Sequence, residues 1–239
     1  VDIKNNNMKS YKKYIQKVTP PGGVFSEKRK ELGLANNILK WAGLRFSYFF
    51  YVIGLTPNFL DLIGIVASFF GYLILLNGLS YDIDHLVVYG WLLIFLQVLI
   101  DYMDGAIAIG GDISSNIGTE MDNIGLDLSK FFFLTTLGIL TNQKVYILIN
   151  TFSSAIFMVL YINTYKKVPD YKIIRYIKAF ISGRRALLGI RFMLGVLPLL
   201  IILLYFANFD IALVSKNISL IYFFTALIWI VVCIPVYKE

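Results

Sequence analysis

The sequence has a single cysteine, Cys233, and a single histidine, His85, in 239 residues. One cysteine in an apolar run leaves no disulfide framework and no zinc cluster. One histidine nearly excludes a histidine general base or a histidine-rich metal site. Chemistry must therefore come from carboxylates, Lys, Arg, Ser or Thr. Charged residues are also few, at 15%. Residues 1–30 hold no apolar stretch like that of a cleavable signal peptide, so membrane insertion is expected to rely on internal segments.

What the chain does have is apolar length. It is 58% hydrophobic with a mean hydropathy of +0.70, against about 45–50% apolar residues in a soluble domain. The formal net charge is +7. A basic balance suits nucleic acid or anionic lipid, and the apolar runs favour lipid. No nucleic-acid partner is expected.

Residues 1–25 are polar and run through Pro20-Pro21-Gly22-Gly23, a strong breaker, so they read as a flexible basic arm. Residues 26–54 place Leu32, Ala35, Leu39, Ala42 and Phe46 at helical spacing among Lys and Arg. That pattern predicts an amphipathic helix lying in the headgroup region. Residues 55–239 then read as a six-helix transmembrane domain. The expected spans are Pro57–Leu76, Leu86–Ala108, Ile117–Leu140, Val145–Tyr165, Ala186–Phe206 and Ile218–Val236. The fold class is thus all-α and integral to the membrane. Residues 1–55 carry ten Lys and Arg, residues 166–191 carry eight, and residues 77–84 carry none. This asymmetry predicts that both termini and the 165–187 connection face the cytoplasm, in the cell membrane.

Charge inside a span marks function by default, and here it is concentrated. The second span ends Asp101-Tyr102-Met103-Asp104-Gly105-Ala106-Ile107-Ala108. The third opens with Gly118, Asp122, Gly125, Asp127 and Lys130. Asp101, Asp104, Gly105 and Ala108 lie at i, i+3, i+4 and i+7, on one helix face, as do Gly118 and Asp122 on the next helix. Facing antiparallel helices would bring three carboxylates together, and cations would be needed to offset their repulsion. Oxygen donors suit Mg²⁺ or Mn²⁺. The small residues between them leave room for a ligand, and the combination points to phosphate chemistry. The plainer reading is polar pairing across helices.

This stretch resembles the CDP-alcohol phosphotransferase family, whose signature is D-x2-D-G-x2-A-R-x8-G-x3-D-x3-D. Asp101, Asp104, Gly105, Ala108, Gly118 and Asp122 fit it with correct spacing, and Thr56-Pro57-Asn58 resembles the family's opening of the first span. The resemblance covers roughly residues 26–236. It implies two divalent cations, Mg²⁺ or Mn²⁺, held by Asp101, Asp104 and Asp122. It also implies a nucleotide site at Gly105, Ala108, Gly118 and Asn58, and an aspartate acting as general base. A CDP-alcohol donor, such as CDP-diacylglycerol, would pass its phosphorylated alcohol to an acceptor alcohol and release CMP, in phospholipid or related lipid synthesis. Membrane lipids are the surrounding partners, and a homodimer is a candidate assembly.

Two signature positions differ. The Arg is Ile109, and the last Asp is Leu126, followed by Asp127. On a straight helix Asp127 points about 100° away from position 126. A π-bulge near Gly125 would realign it as the base. The competing reading makes Asp127 the ion-pair partner of Lys130. Arg184, Arg185 and Arg191 are candidates for binding the acceptor or the phosphates, or else headgroup anchors. Three functions stay open: the transferase, a catalytically degenerate relative that binds nucleotide or lipid as a partner subunit, and a small transporter. The retained aspartates favour the transferase.

Overall fold

A computed structural model describes the backbone of residues 11–20, 34–113, 116–164 and 197–233. It describes their side chains except at 34–38, 116–120, 122–123, 158–164, 229 and 231–233. The described residues are helical, with no strand among them. In chain order the helices are α1 (Tyr11–Val18), α2 (Leu34–Val52), α3 (Pro57–Ser80), α4 (Asp84–Gly111), α5 (Asn116–Leu140), α6 (Lys144–Thr164), α7 (Leu197–Phe206) and α8 (Ile211–Cys233).

Among the described residues, three helices are long and apolar enough to cross a membrane: α3, α4 and the Ile211–Ile228 part of α8. Lys144–Phe157 and Leu197–Phe206 are shorter apolar stretches. The protein is therefore a helical membrane protein. Rows of bare apolar side chains agree with lipid contact: Phe59, Leu62, Val66, Phe70 and Leu73 on α3 are all exposed. The expected span boundaries shift in places. α3 extends four residues past Leu76 to Ser80, and α8 begins seven residues before Ile218. The opening of the fifth expected span, from Ala186, lies outside the described residues.

The residues form two compact units. The first comprises residues 1–66 and 96–125. Its core is Leu60, Ile100, Met103 and Ile107, packed by Phe50, Tyr51, Leu55 and Leu99. α2 ends at Val52, and just past it Gly54, with a φ of 83°, lets Leu55 N–H reach back to Phe50 O at 3.0 Å. Thr56 then caps α3, its Oγ1 accepting from Phe59 N–H at 3.3 Å, with Pro57 in the first turn. On α2, Trp41, Phe46, Phe49 and Val52 are exposed, and the Arg45 guanidinium lies 3.7 Å from the Trp41 ring centre.

The arm predicted as flexible is different in part. Tyr11–Val18 is a helix, and Tyr14 and Val18 are fully buried. Tyr14 OH donates to Ser47 Oγ at 2.9 Å, and its ring lies against Tyr48 and Tyr51. Lys17 Nζ donates to Gly110 O at 3.1 Å and pairs with Asp112. The sequence signal was weak because α1 has only Tyr14 and Val18 to bury, one helical turn apart.

The second unit comprises residues 67–95 and 126–239. Tyr72, Leu75, Ile94, Phe133, Leu137 and Tyr222 are among its core. α3 and α4 approach closely there, since a Cβ on Gly90 would stand 2.5 Å from Leu75 N. α6 packs on α8. Asn150 Nδ2 donates to Leu134 O at 2.8 Å and to Ser219 Oγ at 2.9 Å, the kind of polar tie that joins helices in lipid.

The docking of α1 gives a test. A Cβ built on Gly110 collides with the Tyr14 ring, so Gly110→Ala should release α1. Hydrogen exchange should speed up at residues 11–18 and stay slow in α3 and α4. Burial also pushes the Tyr14 phenol from 10.0 up to about 12. The neutral phenol is the docked form, so its contribution is complete below pH 10 and is lost as pH rises through about 12. A Tyr14→Phe variant should lack that component of the pH dependence.

Candidate functional site

The signature residues of the second span lie in the last turns of α4. Asp101, Gly105 and Ala108 are half-buried and Asp104 is 8% exposed. The opposite face of the same turns carries Met103, Ala106 and Ile107, all buried in apolar contact. Helical spacing thus does what the sequence suggests: it puts the carboxylates on one side and the core on the other.

A third carboxylate joins them from α3, and sequence reasoning missed it. Asp61, 8% exposed, is hydrogen-bonded through its side chain to Asp104 and feels the charge of Asp101. The available signal was an isolated Asp four residues after Pro57 in an otherwise apolar helix. Intramembrane Asp is costly enough to mark such a position. Asn58 is half-buried in the first turn of the same helix.

The backbone of Gly118 and Asp122 lies in α5, but the Asp122 side chain is outside the described set. Among the described residues, no group of three or more His, Cys, Asp and Glu is set to hold a metal ion. Asp61, Asp101 and Asp104 alone are therefore not a complete cation site. Their donors are hard oxygens, and the Asp61–Asp104 contact is one that a cation would relieve. In these respects the set fits Mg²⁺ or Mn²⁺.

Asp127 has a defined partner. Lys130 Nζ donates to Asp127 Oδ1 at 2.5 Å, and both side chains are buried. α5 is α-helical throughout, with no π-bulge near Gly125 to turn Asp127 toward position 126. The offset of about 100° therefore stands. A bulge would cost ladder hydrogen bonds, and the Lys130 contact leaves Asp127 no unpaired charge to drive one. Arg184, Arg185 and Arg191 lie outside the described residues.

No protein-family model matches the chain, and comparison with curated proteins gives no match. The likeness to the CDP-alcohol phosphotransferases rests on the signature residues and their spacing alone.

The ion pair is directly testable. Lys130→Leu leaves a buried carboxylate without its cation, and should cost about 3–5 kcal/mol. Asp127→Leu combined with Lys130→Leu should recover most of that loss. Thermal unfolding in detergent measures both. Equal stability of the single variant and the wild type would mean the pair contributes nothing.

Proposed function

We propose that this protein is a membrane transferase of the CDP-alcohol phosphotransferase kind. It would move a phosphorylated alcohol from a CDP-alcohol to an acceptor alcohol with release of CMP. One observation carries the reading: Asp101 and Asp104, spaced as in the signature, share a face of α4 with Gly105 and Ala108. Asp61 pressed against Asp104 supports it, because buried carboxyls in apolar helices have no evident packing purpose.

In this reading Asp101, Asp104 and Asp122 hold divalent cations. When bound, such cations neutralise the diphosphate and stabilise the departing phosphate. Asp61 is a positioning residue that fixes the Asp104 carboxylate. Gly105 and Ala108 leave space beside the carboxylates for the nucleotide. The acceptor oxygen forms a new bond to the phosphorus that carries the alcohol, the bridging P–O bond breaks, and CMP leaves with the bonding pair. The acceptor's proton passes to a carboxylate, and Asp127 can take that part only where its pair with Lys130 opens and its side chain turns toward the cations. The six-span topology, with both termini cytoplasmic in the cell membrane, belongs to the same proposal.

The Asp127–Lys130 pair, with Ile109 and Leu126, favours a second reading. In it the protein binds a CDP compound without turnover, as a partner subunit. Purified protein in nanodiscs, given Mn²⁺, CDP-diacylglycerol and candidate acceptor alcohols, separates the two. The transferase releases CMP, and Asp104→Asn abolishes release. Asp61→Asn should weaken Mn²⁺ binding, read by calorimetry, and Asp127→Asn should stop turnover with binding kept. Binding without CMP for every acceptor would support the partner subunit. No Mn²⁺-dependent binding at all would sink both.

Topology has its own test. In a Cys233→Ala background, Ser10→Cys and Ser80→Cys should label from opposite sides of the membrane. Labelling from one side would overturn the six-span arrangement.

A further inference from the structure

The second unit contains a cavity of about 630 Å³ that shares no residue with the carboxylate site. It lies where α3, α5 and α7 end. Its polar lining includes Asp82, Asn142, Tyr205 and Asn208, and its apolar lining includes Ile139 and Phe209. Its volume is within the range of small-molecule sites, about 300–1,000 Å³.

The helix ends set the sign of its field. Asp82, Asn142 and Asn208 all adopt left-handed φ, at 54°, 53° and 59°. Each follows a helix end: Ile83 N–H reaches Gly78 O at 2.9 Å, Asn142 N–H reaches Ile139 O at 2.9 Å, and Phe209 N–H reaches Leu204 O at 3.0 Å. Three helix C-termini, each with partial negative charge, therefore border one cavity. The capping residues are Asp and Asn rather than Gly, which adds side-chain oxygens. α8 contributes its N-terminus, where Leu213 N–H donates to Asp210 Oδ1 at 3.1 Å, so a carboxylate already offsets that end. Tyr205 OH donates to Asp84 Oδ1 at 2.9 Å, which fixes the ring at the rim. No Lys or Arg is among the described residues that line the cavity.

From this we infer that the cavity is a binding site for an organic ammonium group. The Asp82 carboxylate and the helix ends supply charge, the Asn side chains supply oxygens, and the aromatic rings of Tyr205 and Phe209 are among the lining. A bare metal ion fits poorly. No group of three or more metal-ligating side chains is assembled among the described residues, and the apolar lining offers an ion nothing. The ammonium could belong to a soluble amine or to an amine-bearing lipid headgroup.

The test uses the full chain in nanodiscs of phosphatidylglycerol, titrated calorimetrically with ethanolamine and with choline. Saturable binding of at least one is expected. Asp82→Asn keeps a residue that tolerates left-handed φ, and should weaken binding at least about tenfold. Asn208→Asp adds a carboxylate at an equivalent position and should tighten it, a gain that misfolding cannot imitate. Nanodiscs containing phosphatidylethanolamine distinguish the sources. Loss of ethanolamine binding there assigns the site to the lipid headgroup, and unchanged binding assigns it to the soluble amine. Absence of binding by both probes, or binding indifferent to both substitutions, overturns the inference.

Discussion

A carboxyl group in a helix made for lipid needs a reason to stay there. Burying an ionised carboxylate without compensation costs far more than one side chain's packing can return. Asp61 and Asp104, buried side by side in the first unit, make that demand together. Glycines allow the surrounding helices to close: a Cβ on Gly43 would stand 2.6 Å from Tyr102 Cβ, and one on Gly64 would stand 3.3 Å from Ile100. The apolar core of Leu60, Met103 and Ile107 alternates along the same helices with the acidic face. The position of each carboxyl is thus fixed by ordinary packing next door to it.

Asp127 and Lys130 solve the same problem differently. Here each charge has an opposite charge one turn away on the same helix. Asp61 and Asp104 instead come together from two different helices.

The helices were legible in the sequence because their apolar runs are long. The breaks at Thr56-Pro57, Tyr81–Ile83 and Thr141–Gln143 fell close to where they were expected. The one-face placement of Asp101, Asp104, Gly105 and Ala108 was also legible, since helical spacing alone dictates it. Asp61 was not. Its partner lies 43 positions away on another helix, and no periodicity encodes that contact. The docking of α1 was hidden for a similar reason. Tyr14 finds Ser47 and Gly110, which are remote in sequence, so a short polar stretch looked unanchored. The early start of α8 was obscured because Ser215, Lys216 and Asn217 read as the edge of a loop. Ser215 is in fact fully buried in the helix.

The close approach of α3 and α4 also bears on how the chain enters a bilayer. Gly71, Gly78 and Gly90 bring the two backbones together, with a Cβ on Gly71 only 3.0 Å from Gly90 O. The turn between them is three residues long, from Tyr81 to Ile83. Leu75, Val87 and Ile94 close the seam against these glycines, so the pair can enter the bilayer as one hairpin rather than as two independent rods.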